Sequence, residues 1–255
     1  MLESKRYPFL SIFVSLLAAT WGPQVVAESE DGRLVVGVMS ESEFKLYRDI
    51  DRETDILPYF IYRKGRFYVD ELDLGYDLID YGDLRIATHL HTNTEGYEPS
   101  ESDYFIGMEE RDIAWEGGIA VFAEFDEWEI CIQMLTDVSD THGGGFVSVN
   151  AAHEVDLNSA WTFEPSLTLI SHDSRFNRYY YGVSINDSAP GRPFYAPGNS
   201  QDAMVAFEFE YHSRSNWTLS LELERIYYDG TVSDSPLVQN GEATSLELLI
   251  GYSFN

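Results

Sequence analysis

The chain has 255 residues, of which 44 are Asp or Glu and 16 are Lys or Arg, giving a formal net charge of -28. This acidic excess excludes long-range attraction to the phosphates of DNA or RNA, so nucleic acid is not expected as a partner. Aromatic residues make up 15% of the chain, a content that suits the aromatic girdles of a membrane-embedded β-barrel.

The N-terminal residues predict an export signal. Lys5 and Arg6 precede an apolar stretch at residues 7–19, and the small residues up to Ala27 suit a cleavage site. Residues 1–27 are therefore predicted to be a signal peptide and residues 28–255 a single exported domain. The alternative is an N-terminal anchor helix, which the short apolar stretch disfavours because a spanning helix needs about 20 residues.

Apolar and polar residues alternate at period two through most of the remaining chain. At the C-terminus every second residue from Leu246 to Phe254 is apolar, and only Leu249 breaks the pattern. Such alternation is typical of barrel strands. In chain order it predicts strands at 33–40, 54–63, 66–80, 83–91, 115–125, 127–137, 144–155, 159–170, 202–212, 216–228 and 245–254. Residues 66–80 could instead form a hairpin that turns near Gly75.

Connections between the predicted strands alternate between short and long. Short turns follow the strands near 126–127, 156–159 and 213–216, and long loops lie at 92–114, 171–201 and 229–244. This alternation predicts an all-β, antiparallel transmembrane β-barrel of about 12 strands, with short periplasmic turns and long extracellular loops. Ten strands are expected if residues 28–53 lie outside the wall. A soluble β-sandwich or lipocalin-like barrel is the alternative, and the strand-end aromatics Trp128, Trp161, Trp217 and Tyr252 disfavour it.

Glutamates recur on the strand face opposite the large apolar residues. If Leu, Phe and Trp face lipid, the residues that face the lumen include Glu124, Glu129, Glu164, Glu208, Glu210, Glu222, Glu224 and Glu247. Unpaired carboxylates are too costly to keep ionised in a dry interior, so the lumen is expected to be wet and acidic. A continuous lumen of this kind would prefer cations, whereas a hydrated but plugged barrel would not conduct.

The stretch TDVSDTHGGG, at residues 136–145, has the residue types of an active site. Its polar and flexible members are Asp137, Asp140, His142, Gly143, Gly144 and Gly145. A metal or hydrolytic site would need convergent ligands, or a nucleophile beside a general base, and this segment has no such spacing. We interpret it as a tight turn in which Asp side chains bond local backbone and glycine accepts positive φ.

The remaining histidines and the acidic loop are also interpreted as structural features and not as sites of chemistry. His89, His91, His153 and His212 are expected to be rim or lumen side chains. The acidic loop at 92–114 is expected to be solvated, and the alternative is that it holds divalent cations bridging to lipopolysaccharide phosphates. No catalytic residue, metal ligand or cofactor is predicted.

Several stretches together resemble one family, the outer-membrane MltA-interacting protein family (MipA/OmpV). They are LPYFIYRKGRFYV (57–69), DVSDTHGGG (137–145), YYYGVS (179–184), YAPG (195–198), SPLV (235–238) and the terminal GYSF (251–254). The resemblance implies a non-enzymatic barrel in the Gram-negative outer membrane, in contact with lipid and lipopolysaccharide. It also implies a scaffold role, in which a lytic transglycosylase and a penicillin-binding protein are brought together for peptidoglycan synthesis. Because the family also includes porin-like members, the alternative is a small channel with an acidic, cation-preferring lumen.

Overall fold

The computed structural model describes residues 32–44, 46–50 and 52–254. The predicted signal peptide and Asn255 lie outside the described residues. The described chain forms strands β1 (Arg33–Phe44), β2 (Glu53–Lys64), β3 (Phe67–Asp70), β4 (Asp73–Asp80), β5 (Leu84–Asn93), β6 (Ala114–Phe125), β7 (Trp128–Asp137), β8 (Gly145–His153), β9 (Val155–Asn158), β10 (Trp161–His172), β11 (Asp202–His212), β12 (Trp217–Tyr227) and β13 (Glu242–Phe254). Helices α1 (Ser174–Tyr180) and α2 (Gly230–Ser233) and one 3₁₀ turn (Asp103–Phe105) lie in the long connections.

The strands close into a barrel because the first pairs with the last. β1 and β13 are antiparallel in an unbroken register from Leu34 opposite Phe254 to Phe44 opposite Thr244. β8 and β9, separated only by Glu154, both pair with β10 and so act as one strand of the wall. The wall therefore has 12 antiparallel strands, which confirms the predicted number, and the ten-strand alternative is wrong because β1 belongs to the wall.

No helix in the described part of the chain is both long enough and apolar enough to cross a membrane.

The period-two pattern separates an apolar outer face from the barrel interior. Leu246, Leu248 and Ile250 on β13 are 42–48% exposed on the outside. Leu249 is 5% exposed and packs inside the barrel against Met39 and Leu57. The residue that breaks the alternation is thus an interior contact between β13, β1 and β2.

Aromatic side chains surround the short-turn end of the outer face. Trp217 begins β12 and lies 5.2 Å, ring centroid to ring centroid, from Tyr252. Trp161 begins β10, and its ring lies 5.0 Å from that of Tyr211. Rings with an apolar body and a polar edge favour the boundary between the hydrocarbon and the aqueous phase, so this band is expected at a membrane interface.

Residues 66–80 form a hairpin whose turn lies at Glu71 and Leu72, not near Gly75. β3 pairs with β2 only along residues 61–64, so β3 and β4 reach part-way up the wall. In the described part of the chain, residues 53–59 of β2 therefore have no neighbouring strand on that side. The carbonyl of Phe60 points to the β3 side, where it accepts from the Glu71 N–H at 2.8 Å. Residues two apart in a strand direct their backbone groups to the same side, so the backbone nitrogen of Pro58 also points to this open edge. A residue without an N–H is tolerated at such an edge because no ladder bond is lost.

Gly75 is required by a close aromatic contact rather than by a turn. A Cβ at this position would lie 1.9 Å from the ring of Tyr68, which crosses the backbone of β4 inside the barrel. The Tyr68 hydroxyl in turn lies 3.1 Å from His89 Nδ1. The glycine therefore determines where the Tyr68 ring and the His89 side chain lie.

We expect Gly75→Ala to lower the free energy of unfolding by about 1–3 kcal/mol, because the Tyr68 ring must move to admit the methyl group. Urea unfolding of the barrel in detergent, followed by tryptophan fluorescence, measures this change. Gly198→Ala is the matched control, since a Cβ there meets no atom within 4 Å. Equal stability of the two variants would show that the Tyr68 contact does not constrain the wall.

Candidate functional site: an acidic interior beneath a loop lid

Six carboxylates occupy directly paired positions on six adjacent strands. We call this set the acidic row; along β10, β11, β12, β13, β1 and β2 it consists of Glu164, Glu208, Glu222, Glu247, Glu41 and Asp55. Directly opposed residues have Cβ atoms about 4.5–5.5 Å apart, and like charges in that arrangement destabilise a sheet. The acidic row therefore concentrates carboxyl groups on one side of the interior, where ionising all of them would destabilise the sheet.

The other predicted lumen glutamates lie near the acidic row or on the opposite wall. Glu210 and Glu224 lie two residues from row members on the same strand faces. Glu124 and Glu129 are directly paired across β6 and β7.

Glu41 and Asp55 were not among the predicted lumen carboxylates. Glu41 falls just past the predicted end of the first strand. Asp55 shares a face with apolar Leu57 and Tyr59, so the alternation alone did not mark that face as the lumen side.

Inward-facing arginines are held close to one buried aspartate. Arg63 and Arg85 both contact Asp77, whose side chain is 2% exposed. The Arg85 guanidinium also lies 3.6 Å from the ring centroid of Phe122. Arg63 is close to the end of β2 at the short turns, whereas Asp55 of the acidic row is near the other end of the same strand. The two arginines thus compensate one buried carboxylate.

A histidine cluster lies on the inner wall between β4 and β5. His89 Nε2 is 3.2 Å from Asp73 Oδ2, and His91 Nδ1 is 3.0 Å from Asp73 Oδ1 and 3.2 Å from Oδ2. The Thr92 N–H donates to Asp73 Oδ1 at 3.2 Å. Both histidines were expected to be rim or lumen residues, but their convergence on Asp73 was not predicted. It depends on the β4–β5 register, which the sequence pattern left open.

The TDVSDTHGGG stretch forms a turn organised by one carboxylate. Asp137 Oδ1 accepts from the N–H of Ser139 at 2.8 Å, and Oδ2 accepts from the N–H groups of His142 and Gly143 at 2.7 Å each. Asp140 and Gly143 have φ values of 61° and 62°, the left-handed conformation that Asp and Gly tolerate best. In this structure Asp137 therefore serves the backbone of its own turn.

His142 points from this turn into the barrel end. Its Nε2 lies 3.1 Å from Glu116 Oε1, and both side chains are completely buried. The two groups lack the alignment of a hydrogen bond, and Glu116 lies directly opposite His91 in the β5–β6 register. The His142 ring also packs edge-on against Phe176 of α1, with ring centroids 5.1 Å apart.

The long connections pack together into a hydrophobic lid over the end of the barrel. The lid core consists of Leu46, Tyr47, Tyr97, Phe105, Met108, Phe176, Tyr180, Tyr181, Val183, Val232, Leu237, Val238 and Ala243. These residues come from the connections β1–β2, β5–β6, β10–β11 and β12–β13, together with the start of β13. Side chains from the long loops thus form a hydrophobic core of their own at this end of the barrel.

Hydrogen bonds join the loops of the lid. The Ser235 hydroxyl donates to the Tyr181 carbonyl at 2.7 Å, and the Arg48 N–H donates to the Leu237 carbonyl at 2.8 Å. Burial raises the pKa of Tyr97 to about 12, so its phenol is neutral at physiological pH. The lid core therefore packs an uncharged Tyr97 phenol, and the carbonyls of Tyr181 and Leu237 each accept a hydrogen bond from another loop.

The acidic loop at 92–114 is divided between the lid and solvent. Its apolar members Tyr97, Phe105 and Met108 are buried in the lid core. The carboxylates that remain exposed are Glu101, Asp103, Glu109, Glu110 and Asp112. The expectation of a wholly solvated loop is wrong for its apolar side chains, which alternate irregularly and carry no strand or helix signal.

Stretches that carried the family resemblance meet at this lid. YYYGVS contributes Tyr180, Tyr181 and Val183, and SPLV contributes Leu237 and Val238. These segments are about 50 residues apart in the chain but share one packed cluster.

A sequence profile of the family described as MltA-interacting protein MipA matches residues 34–254. The chain belongs to this family. Among its relatives, YiaT of Escherichia coli (strain K12), which is named as an outer membrane protein, is 20% identical over 93% of this chain and 98% of its own. The MltA-interacting protein of the same organism is 22% identical over 82% of this chain and 85% of its own.

Among solved structures, an outer membrane channel from Pseudomonas putida F1 is similar to this family member with a TM-score of 0.47 and 11% identity, over 89% of this chain and 96% of that one. The NanC porin is similar with a TM-score of 0.43 and 10% identity, over 86% and 98% of the two chains.

This MipA family member is an outer-membrane β-barrel protein. Because outer-membrane barrels have short periplasmic turns and long extracellular loops, we assign its short turns to the periplasm and its lid to the extracellular side.

We expect Asp137→Asn to loosen the turn at residues 136–145. The amide nitrogen of Asn cannot accept the hydrogen bonds that one carboxylate oxygen now receives. Loss of these acceptors should lower the local stability of the turn by about 1–3 kcal/mol. Amide hydrogen exchange at Ser139, His142 and Gly143 measures the effect. Asp140→Asn is the isosteric control, since Asp140 is exposed and Asn also tolerates positive φ. If both variants exchange alike, Asp137 does not organise the turn.

Proposed function

We propose that this barrel is a non-enzymatic scaffold that binds peptidoglycan-remodelling enzymes at its periplasmic end. The observation that carries the proposal is membership of the family described as MltA-interacting protein, over residues 34–254. The enzymes proposed are a lytic transglycosylase of the MltA kind and a penicillin-binding protein. A scaffold needs an exposed docking surface, and it does not need an open pore.

The arrangement of the two barrel ends supports this role. The extracellular end is covered by the packed lid, whose core buries apolar residues from four connections. The periplasmic end consists of short turns, and Tyr81 in the β4–β5 turn is 83% exposed. Aromatic side chains that lose solvent on binding are frequent energetic anchors of protein interfaces. Tyr81 is therefore our candidate contact with the partner enzymes.

We expect the full barrel in lipid nanodiscs to bind the soluble domain of an MltA-type lytic transglycosylase, and Tyr81→Ser to weaken this binding by about tenfold or more. Surface plasmon resonance with the enzyme as analyte measures both constants. Ile185→Ser is the matched control, because Ile185 is a large apolar residue that is 77% exposed on the opposite, extracellular end.

Two results would contradict the scaffold proposal. One is the absence of binding by either the transglycosylase or the penicillin-binding protein. The other is equal weakening by Tyr81→Ser and Ile185→Ser, which would indicate non-specific apolar adsorption.

A second candidate function is a small cation-preferring channel, which the acidic row favours because carboxylate rings attract cations. The lid over the extracellular end favours the scaffold instead. We therefore expect no resolved conductance steps from the intact barrel in a planar bilayer. Cation-selective steps whose selectivity falls in the double variant Glu222→Gln, Glu247→Gln would establish the channel function.

A further inference from the structure

We infer that Asp73, His89 and His91 form a binding site for a divalent transition-metal ion on the inner wall of the barrel. One donor atom from each of the three residues lies within 4.8 Å of the other two. Two imidazole nitrogens and one carboxylate oxygen are the donor set that Zn²⁺, Cu²⁺ and Ni²⁺ accept, whereas Mg²⁺ and Ca²⁺ prefer oxygen ligands alone. The inference is independent of the proposed scaffold function.

The geometry of the three side chains suits a single ion. Metal bonds of about 2.0–2.1 Å place neighbouring tetrahedral ligand atoms about 3.3 Å apart. Asp73 Oδ2 lies 3.2 Å from both His89 Nε2 and His91 Nδ1, so two of the three edges already have this length. One carboxylate oxygen thus faces both imidazoles, and small side-chain rotations would complete the coordination.

The backbone positions the donors before any ion binds. His89 and His91 are two residues apart on β5, and in a strand such residues point to the same face. Asp73 begins the neighbouring strand β4, beside the turn at Glu71 and Leu72. A sequence of the form His-X-His on a strand, with a carboxylate on the next strand, therefore gives three convergent ligands without a flexible loop.

Neighbouring polar groups orient the three proposed ligands as metal sites require. The Tyr68 hydroxyl lies 3.1 Å from His89 Nδ1, which leaves Nε2 directed at Asp73. The Thr92 N–H holds Asp73 Oδ1, which leaves Oδ2 between the two imidazoles. Such outer contacts fix the tautomer and the ring orientation of ligating histidines.

Charge and access also favour a cation. Asp70 is directly paired with Asp73 across the β3–β4 hairpin, and fully buried Glu116 lies directly opposite His91 on β6. The Asp73 side chain is 21% exposed, whereas both histidine side chains are 8% exposed. The carboxylate is therefore partly accessible to solvent, so an ion can reach the site and can complete its coordination with water.

The test is a Zn²⁺ titration of the untagged, folded barrel in detergent, at a slightly alkaline pH where imidazole is unprotonated. Isothermal titration calorimetry should give one site per chain. Removing a ligand with His89→Gln or His91→Gln should weaken binding more than about 100-fold. Removing the hydroxyl that orients His89 with Tyr68→Phe should weaken binding about tenfold. Co²⁺ in place of Zn²⁺ should give the visible absorption of a low-coordinate site in the wild type and not in His89→Gln or His91→Gln.

The control variant is His212→Gln, because His212 also pairs with a carboxylate, Glu210, at 3.3 Å but has no second histidine beside it. It should bind Zn²⁺ like the wild type. Retained heat-modifiable migration in gel electrophoresis shows that each variant is a folded barrel. Absence of Zn²⁺ binding by the wild type, unchanged binding in His89→Gln and His91→Gln, or equal binding of Mg²⁺ would each show that the cluster is only an ion-pair network.

Discussion

The pairing of β1 with β13 is the constraint on which the rest of the structure depends. In a bilayer no water is available to unpaired backbone groups, so a sheet can span only if every edge is closed. The unbroken register from Leu34 opposite Phe254 to Phe44 opposite Thr244 satisfies this requirement along the whole first strand. Where the wall is incomplete, beside residues 53–59 of β2, the edge carries Pro58, which has no N–H to satisfy.

Closure also creates an interior that the chain must fill or hydrate. Apolar side chains are directed to lipid on the outside, so polar side chains dominate much of the inner face. The acidic row is the strongest case, because six carboxylates are placed at directly paired positions despite their mutual repulsion. Asp77 shows the opposite arrangement, in which one buried carboxylate is compensated by Arg63 and Arg85. Carboxyl and guanidinium groups are therefore distributed unevenly over the inner wall.

The extracellular lid solves a different problem. Four connections that are far apart in the sequence bury their Tyr, Phe, Leu and Val side chains against one another, as a soluble domain would. This core leaves the exposed carboxylates of the 92–114 loop on the outside and the acidic row beneath it. The lid packs over the extracellular end, and the proposed scaffold function assigns partner binding to the periplasmic turns at the other end.

The sequence by itself determined the barrel and the outward face of most strands, because period-two alternation and the lengths of the connections are local properties. It indicated about 12 strands and left ten open, and the structure decided between them. The family resemblance also rested on local stretches such as YYYGVS and SPLV. The sequence did not determine the turn of the 66–80 hairpin, since Gly75 looks like a turn residue and its real role, space for the Tyr68 ring, is a contact between strands.

Only the tertiary structure decided which polar residues meet. The acidic row depends on the registers of six strands. A register shift of one residue in any of these strands would turn the carboxylate of that strand to the lipid face. The contact of His89 and His91 with Asp73 depends on the short β3–β4 hairpin, and the lid depends on packing between connections that have no periodic signal. Register and loop packing are set by the summed contacts of many strands, which is why they could not be deduced from any one segment.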